Sequence, residues 1–443
     1  MTDNLLAKLQ ISVITLVTAG LMLFMGGVHV GPRTLATLTL ALLFLLTVIT
    51  RLISGSAFSL WDRAWLWPWL AVTVWIALQL VPLPPSLLVY VGAYPVEWFT
   101  VWPELPLQRL SPMPLETLSY WTMFTAYWVT TWLVASLQRQ HLAIVLGMVI
   151  GLVAFQATYG FIAHIGRFET VLGLWPAGRN HSVVVGTFWN RNHIAGLLAM
   201  GWPLGIGFLL FSTHRYRHRI HELRYLLVVL FALIIALALF NTLSRLGTVA
   251  GLFGLAVFVL VARWQRGGTI NRLEQFWLLC AALVALGLSI SFGLAPLLGR
   301  YADLMEFEAG ARAQALLTVF DLPAKAWLLG IGAGAFEDVF KLVQPASMVG
   351  SSYYYLHNDW VQFVLEFGVL GTLAVLSAAV LWWRQVKPQR FNRLRAAAVG
   401  SIAAIGLHSI GDFNLQIPGT AIVFWIILGV LCNPSLEPRP TPP

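Results

Sequence analysis

Arg191 and Arg245 each stand directly before a long apolar run, where a charge needs a reason. Arg191 lies in Phe188-Trp189-Asn190-Arg191-Asn192-His193 and Arg245 in Asn241-Thr242-Leu243-Ser244-Arg245. A guanidinium there is either an interfacial charge whose stem snorkels or part of an anion site, because its planar, permanently charged fork suits phosphate oxygens. Arg312 falls within 303–320, a stretch whose Leu304, Phe307, Ala311, Ala315 and Val319 spacing predicts an amphipathic helix. It lies off the apolar stripe, so a solvated charge and an anion ligand both remain open. His357 sits in Tyr353-Tyr354-Tyr355-Leu356-His357-Asn358-Asp359-Trp360, at the mouth of another apolar run. An imidazole can take a proton near neutral pH, and a nearby carboxylate can orient it and raise its basicity. The spacing makes His357 and Asp359 a candidate acid–base pair; a structural histidine is the alternative. Asp412, in His408-Ser409-Ile410-Gly411-Asp412-Phe413-Asn414, closes another apolar run and needs a partner, either a structural ion pair or an outer arginine.

Other patterns carry less. His214, His218 and His221 have helical spacing, but they alternate with Arg215, Arg217 and Arg219 and read as a solvated basic loop rather than a metal site. Leu329-Gly330-Ile331-Gly332-Ala333-Gly334-Ala335-Phe336 matches neither a dinucleotide fingerprint nor a P-loop and reads as a tight, close-packed turn. No Gly-x-Ser-x-Gly elbow and no His-Glu-x-x-His motif occurs. Cys280 and Cys432 lie in apolar runs, which indicates neither a disulfide framework nor zinc. We expect no metal and no cofactor.

The elements that must position these residues are membrane spans. The 443 residues are 58% hydrophobic and only 10% charged, whereas a soluble domain carries about 25% charge. Mean hydropathy is +0.78. This composition excludes a disordered chain and an ordinary soluble enzyme. Crossing a bilayer takes about 20 apolar residues. Twelve candidate runs lie near 10–27, 34–53, 64–82, 117–136, 142–164, 194–212, 225–241, 246–262, 276–294, 359–383, 396–411 and 419–433. The first reads as a retained span rather than a signal peptide, since MTDNLLAKLQ lacks a basic start. The expected fold is an all-α polytopic membrane protein, one membrane domain over 1–443, with long outer loops at 83–116 and 295–358. Placing both termini inside puts most of the 27 basic residues, Arg51, Arg139, Arg263 and Arg393 among them, on the inner face. The net charge of +9 is then a topology signal rather than a sign of nucleic-acid binding. The chemistry is expected on the outer face, where the long loops lie.

Six segments in this order carry a family resemblance: LSPMPLETLSYW (110–121), TFWNRNHIAGLLAM (187–200), NTLSRLGTVAGL (241–252), ARAQALLTVFDLPAKAWLLGIGAGAFEDVF (311–340), LHNDWVQFVLEFGVLG (356–371) and LHSIGDFNLQIP (407–418). Together, over about 100–433, they resemble the O-antigen ligase and polymerase superfamily of bacterial inner-membrane glycosyltransferases. The resemblance implies a GT-C-like fold of about twelve helices, with a large periplasmic loop between the ninth and tenth. It implies a bacterial inner-membrane location with both termini cytoplasmic and a metal-free periplasmic site. The donor would be a glycan on undecaprenyl diphosphate, and the acceptor lipid A-core or a growing polysaccharide. Arg191, Arg245 and Arg312 match the arginines that hold the lipid diphosphate, and His357 matches the general base. Beside the residues that the resemblance assigns, the neighbouring sequence makes Asp359 a second catalytic candidate and Asn190, Asn192, Asn358 and Asp412 supporting ones. Ligase and polymerase remain open. So do a secondary transporter, for which Glu366 inside a span is the notable ionisable residue, and a lipid-binding scaffold without turnover.

Overall fold

The computed structural model describes residues 3–55, 59–91, 109–176, 183–212, 219–264, 308–348 and 352–437. Helices dominate. In chain order they are α1 (Asp3–Leu23), α2 (Val30–Ile53), α3 (Leu60–Ala64), α4 (Leu66–Leu80), α5 (Pro85–Val91), α6 (Pro114–Ser136), α7 (Arg139–Ile165), α8 (Arg191–Ser212), α9 (Arg219–Asn241) and α10 (Arg245–Trp264). There follow α11 (Glu308–Phe320), α12 (Ala324–Leu329), α13 (Phe336–Val343), α14 (Asp359–Val386), α15 (Arg393–His408) and α16 (Pro418–Cys432). A two-residue hairpin pairs β1 (Thr170–Val171) with β2 (Trp175–Pro176).

The expected run at 276–294 lies outside the described residues, as do half of the first outer loop and the start of the second. The other expected runs coincide with helices. By length and composition six helices of the described residues are able to cross a membrane: α1, α2, α7, α8, α10 and α14. Their outer faces expose large apolar side chains such as Leu16, Leu42, Leu260 and Leu376, a surface that suits lipid tails. The chain is therefore a multi-pass membrane protein.

Local sequence explains where the helices begin and break. Pro114 and Pro418 open α6 and α16, where a missing N–H costs nothing. The run expected at 64–82 is split at Trp65, because the ring of Pro68 cannot accommodate the Ala64 carbonyl four residues back. Ser59 and Asp62 form a capping box on the short α3. At the break, the Trp65 carbonyl accepts Trp128 Nε1–H at 2.7 Å.

The bundle centre is α8, whose apolar window is 83% buried against 28–44% for the other five long spans. Small residues bring α8, α10 and α15 together. A methyl on Gly254 would lie 2.7 Å from the Gly400 carbonyl, and one on Gly207 would lie 2.2 Å from Ala397 Cβ. Without water to drive association inside a bilayer, such close backbone approach supplies the packing.

The Gly-rich turn after α12 docks on α14 as a close-packed clasp. Gly368 interrupts α14 with φ 69°. Gly330, at φ 89°, packs directly on that kink, where a methyl would lie 2.4 Å from the Glu366 carbonyl oxygen. Ile331 N–H donates to Leu365 O at 3.0 Å and Gly332 N–H to Glu366 O at 3.2 Å. The Glu366 carboxylate accepts Gly334 N–H at 3.0 Å and Gln362 Nε2–H at 2.9 Å. The ionisable residue that motivated the transporter reading thus fastens the loop to the span.

Candidate active site

Five short segments converge at one end of α8, α10 and α14. The first is the turn into α8. Thr187 anchors it by accepting Gln156 Nε2–H at 2.7 Å and donating its hydroxyl to Met22 O at 2.6 Å. Asn190 Oδ1 accepts Asn192 N–H at 2.8 Å, an Asx turn that starts α8 at Arg191. The second segment joins α9 to α10. Leu243 takes φ 53°, and Ser244 accepts Gly247 N–H at 3.4 Å, starting α10 at Arg245. Val184 N–H donates to Asn241 O at 2.9 Å and ties the two turns together. Arg191 and Arg245 therefore head neighbouring helices, where exposed N–H groups and the helix dipole favour an anion.

The third segment presents His357, one of few non-glycine residues at positive φ, 58°. Such strained backbone persists where its surroundings hold it, often at functional sites. Asn358 explains the hold: its Oδ1 accepts Val361 N–H at 3.0 Å and caps α14. The fourth segment, between α15 and α16, brings Asp412. His357 Nδ1 lies 3.6 Å from Asp412 Oδ1, at ion-pair distance but longer than a hydrogen bond. The His357 side chain is 20% exposed and that of Asp412 only 1%. Phe413 Nα–H donates to Asp412 Oδ1 at 2.9 Å, and the Phe413 ring meets the rings of His357, Tyr355 and His193 at 4.6, 4.8 and 5.0 Å. Burial alone would raise the Asp412 carboxyl, but His357, His408, His193 and Arg312 around it hold it well below the usual carboxylate range. In Tyr355, burial pushes the phenol up to about 12, so it stays protonated.

The fifth segment is α11. Arg312 reaches the same loop, donating from Nη1 to Gly411 O at 3.4 Å. Gly411 in turn packs beside Leu246, the residue after Arg245. The starts of α8 and α10, Arg312, His357 and Asp412 thus come together from distant parts of the chain around one loop.

Asp359 is placed differently from its expected pairing. It is buried, and its Oδ2 accepts the Ser409 hydroxyl at 2.7 Å and Leu415 N–H at 3.1 Å. Its backbone N–H donates to Ser409 O at 2.9 Å. The carboxylate facing His357 is that of Asp412, while Asp359 clamps both ends of the loop that carries it. Sequence reasoning passed over His193 and Phe413. His193 is 4% exposed, and among the described residues neither ring nitrogen has a hydrogen-bond partner. Its place in Asn-Arg-Asn-His was the available signal. His214 and His218 lie outside the described residues. Among the described residues no group of three or more His, Cys, Asp or Glu is arranged to hold a metal ion.

Residues 229–376 match the sequence model of the O-antigen ligase family. That stretch is what the chain shares with the O-antigen ligase family. The match covers about a third of the protein and takes in Arg245, Arg312, His357 and Asp359, so the resemblance read from the sequence holds where the site's loop and α14 lie. Arg191 and Asp412 fall outside the matched stretch. No curated protein is significantly similar to the chain in sequence.

Proposed function

We propose that the protein is a glycosyltransferase that moves a glycan from undecaprenyl diphosphate to an acceptor hydroxyl on the periplasmic face of the bacterial inner membrane. The acceptor is lipid A-core or a growing polysaccharide chain. The observation that carries this reading is the His357–Asp412 pair set beside two arginine-headed helix starts, within a chain matched to the O-antigen ligase family.

The chemistry follows from that arrangement. His357 takes the proton of the acceptor hydroxyl as its oxygen attacks the anomeric carbon. Asp412, held ionised, stabilises the imidazolium that forms. The bond from the anomeric carbon to the lipid diphosphate breaks in the same displacement, which inverts the centre. Negative charge grows on the departing diphosphate, and Arg191, Arg245 and Arg312 stabilise it in place. Fixed guanidinium groups supply the charge that a metal supplies elsewhere, so the reaction is written without one. Asn190, Asn192 and Asn358 fix the turns that aim these groups, and Asp359 holds the loop of Asp412.

The test is reconstitution in proteoliposomes with an undecaprenyl-diphosphate-linked glycan and an acceptor, read by product mass. Arg245→Ala and His357→Ala should abolish transfer while the protein still inserts. Wild-type turnover in both variants would sink the assignment.

A further inference from the structure

A cavity of about 330 Å³ lies among α4, α6, α14 and α16, beside the His357 loop. Tyr120, Tyr127, Phe363 and Trp425 give it aromatic walls, with Tyr127 and Trp425 stacked at 6.3 Å and 13°. Three charged residues, Arg33, Glu116 and Asp359, also line it. Asp359 is 4% exposed. Its Oδ2 is used by Ser409 and Leu415, but among the described residues its buried Oδ1 has no donor. A buried polar atom without a partner is costly, and a small turn of this side chain towards a ligand hydroxyl in the cavity would remove that cost.

We propose that this cavity binds a pyranose ring of the glycan substrate. Flat aromatic faces suit the C–H face of a sugar, and scattered charged groups suit its hydroxyls. A prenyl chain satisfies the aromatic walls but offers nothing to Arg33, Glu116 or the second oxygen of Asp359. The volume is at the small end of ligand pockets, about 300–1,000 Å³. Position assigns the source of the ring. Among the described residues the lining includes none from α8, α10 or α11, the helices that carry Arg191, Arg245 and Arg312. With the diphosphate on the arginine side, the ring here belongs to the acceptor, poised to offer its hydroxyl to His357. That assignment rests on the transferase reading, whereas sugar binding itself does not.

Saturation-transfer NMR on the full chain in nanodiscs tests binding without donor or turnover. The probes are methyl β-glucoside, methyl N-acetyl-β-glucosaminide and farnesol. Asp359→Asn keeps the shape and an acceptor for Ser409 and Leu415 but turns the free oxygen into a donor. Phe363→Leu removes one aromatic wall and keeps bulk. Glycoside ring protons should receive saturation in the wild type, with affinity about tenfold weaker in either variant. Arg245→Ala should bind glycoside as the wild type does. No transfer to either glycoside, equal transfer in both variants, or farnesol displacing the glycosides overturns the proposal. Melting temperatures check that both variants fold. In the transfer assay, Phe363→Leu should raise KM for acceptor and leave KM for donor unchanged; the reverse overturns the acceptor assignment. Glycoside binding in a protein that transfers nothing leaves the site standing and removes the transferase reading.

Discussion

Replacing Asp412 by Asn keeps the shape of the side chain and removes its charge. The magnitude comes from the 3.6 Å separation of His357 Nδ1 and Asp412 Oδ1. At that distance two unit charges attract by about 1 kcal/mol in water and about 4–5 kcal/mol at an effective dielectric near 20. The pair is buried on the Asp412 side and only partly exposed on the His357 side, so the benefit to an imidazolium falls between those limits. A loss of about 2–3 kcal/mol in the transition state corresponds to a fall in kcat of about 30- to 150-fold. The donor contacts are untouched, so KM for the lipid-linked glycan should hold within about a factor of two. Because Asp412 acts through His357, the double variant with His357→Ala should be no slower than His357→Ala alone. The assay is product mass against time in proteoliposomes. A kcat for Asp412→Asn within about threefold of wild type, or a double variant slower by the product of the two single losses, refutes the reasoning.

Further tests follow from other contacts. Arg245→Lys keeps the charge but loses the two-pronged fork, so transfer should fall about 10- to 100-fold and Arg245→Ala should fall further, in the same assay. Gly330→Ala puts a methyl 2.4 Å from the Glu366 carbonyl at φ 89°; it should lower thermal stability by about 1–3 kcal/mol, while Gly310→Ala, with open space around it, should be neutral or slightly stabilising. Because the Asp412 carboxyl is held below its ordinary value, its contribution to stability is complete above about pH 4 and is lost as pH falls through the lower folded value. Acid unfolding of Asp412→Asn should therefore lack that low-pH component. Asn358→Ala removes the cap of α14 and should cost about 1 kcal/mol in a thermal melt, with Asn358→Asp close to wild type.

The helices were legible because apolar runs and helix-opening prolines are local signals. Arg191, Arg245 and His357 were legible because charge beside such runs is rare. The partner of His357 was not. Asp359 is two residues away in sequence, yet it turns towards Ser409 and Leu415, and the carboxylate at His357 arrives from the loop after α15. Which way a side chain points at a positive-φ turn is set by tertiary packing, which spacing does not encode. Arg395 teaches the same lesson. A charge in the basic stretch that opens α15, it is fully buried. Its Nη1 donates to Glu437 at 2.7 Å and to the Arg390 carbonyl, and its Nη2 to Asn433 O at 2.7 Å. The aromatic cavity was invisible for a related reason: its walls come from helices far apart in the chain.

The contact of Gly330 on the kink at Gly368 bears on how such proteins can be recombined. A segment stretching from α11 to His357 looks like an exchangeable cassette, to be swapped between relatives in search of new specificity. Its backbone is threaded into the span that follows it, through Ile331, Gly332 and Gly334 on Leu365 and Glu366. A hybrid joined between the turn and the kink brings together two halves shaped for other mates, and bulk at either glycine keeps them apart. Junctions placed before Glu308 and after Gly371 carry both halves together, and those are the seams along which this architecture can be cut.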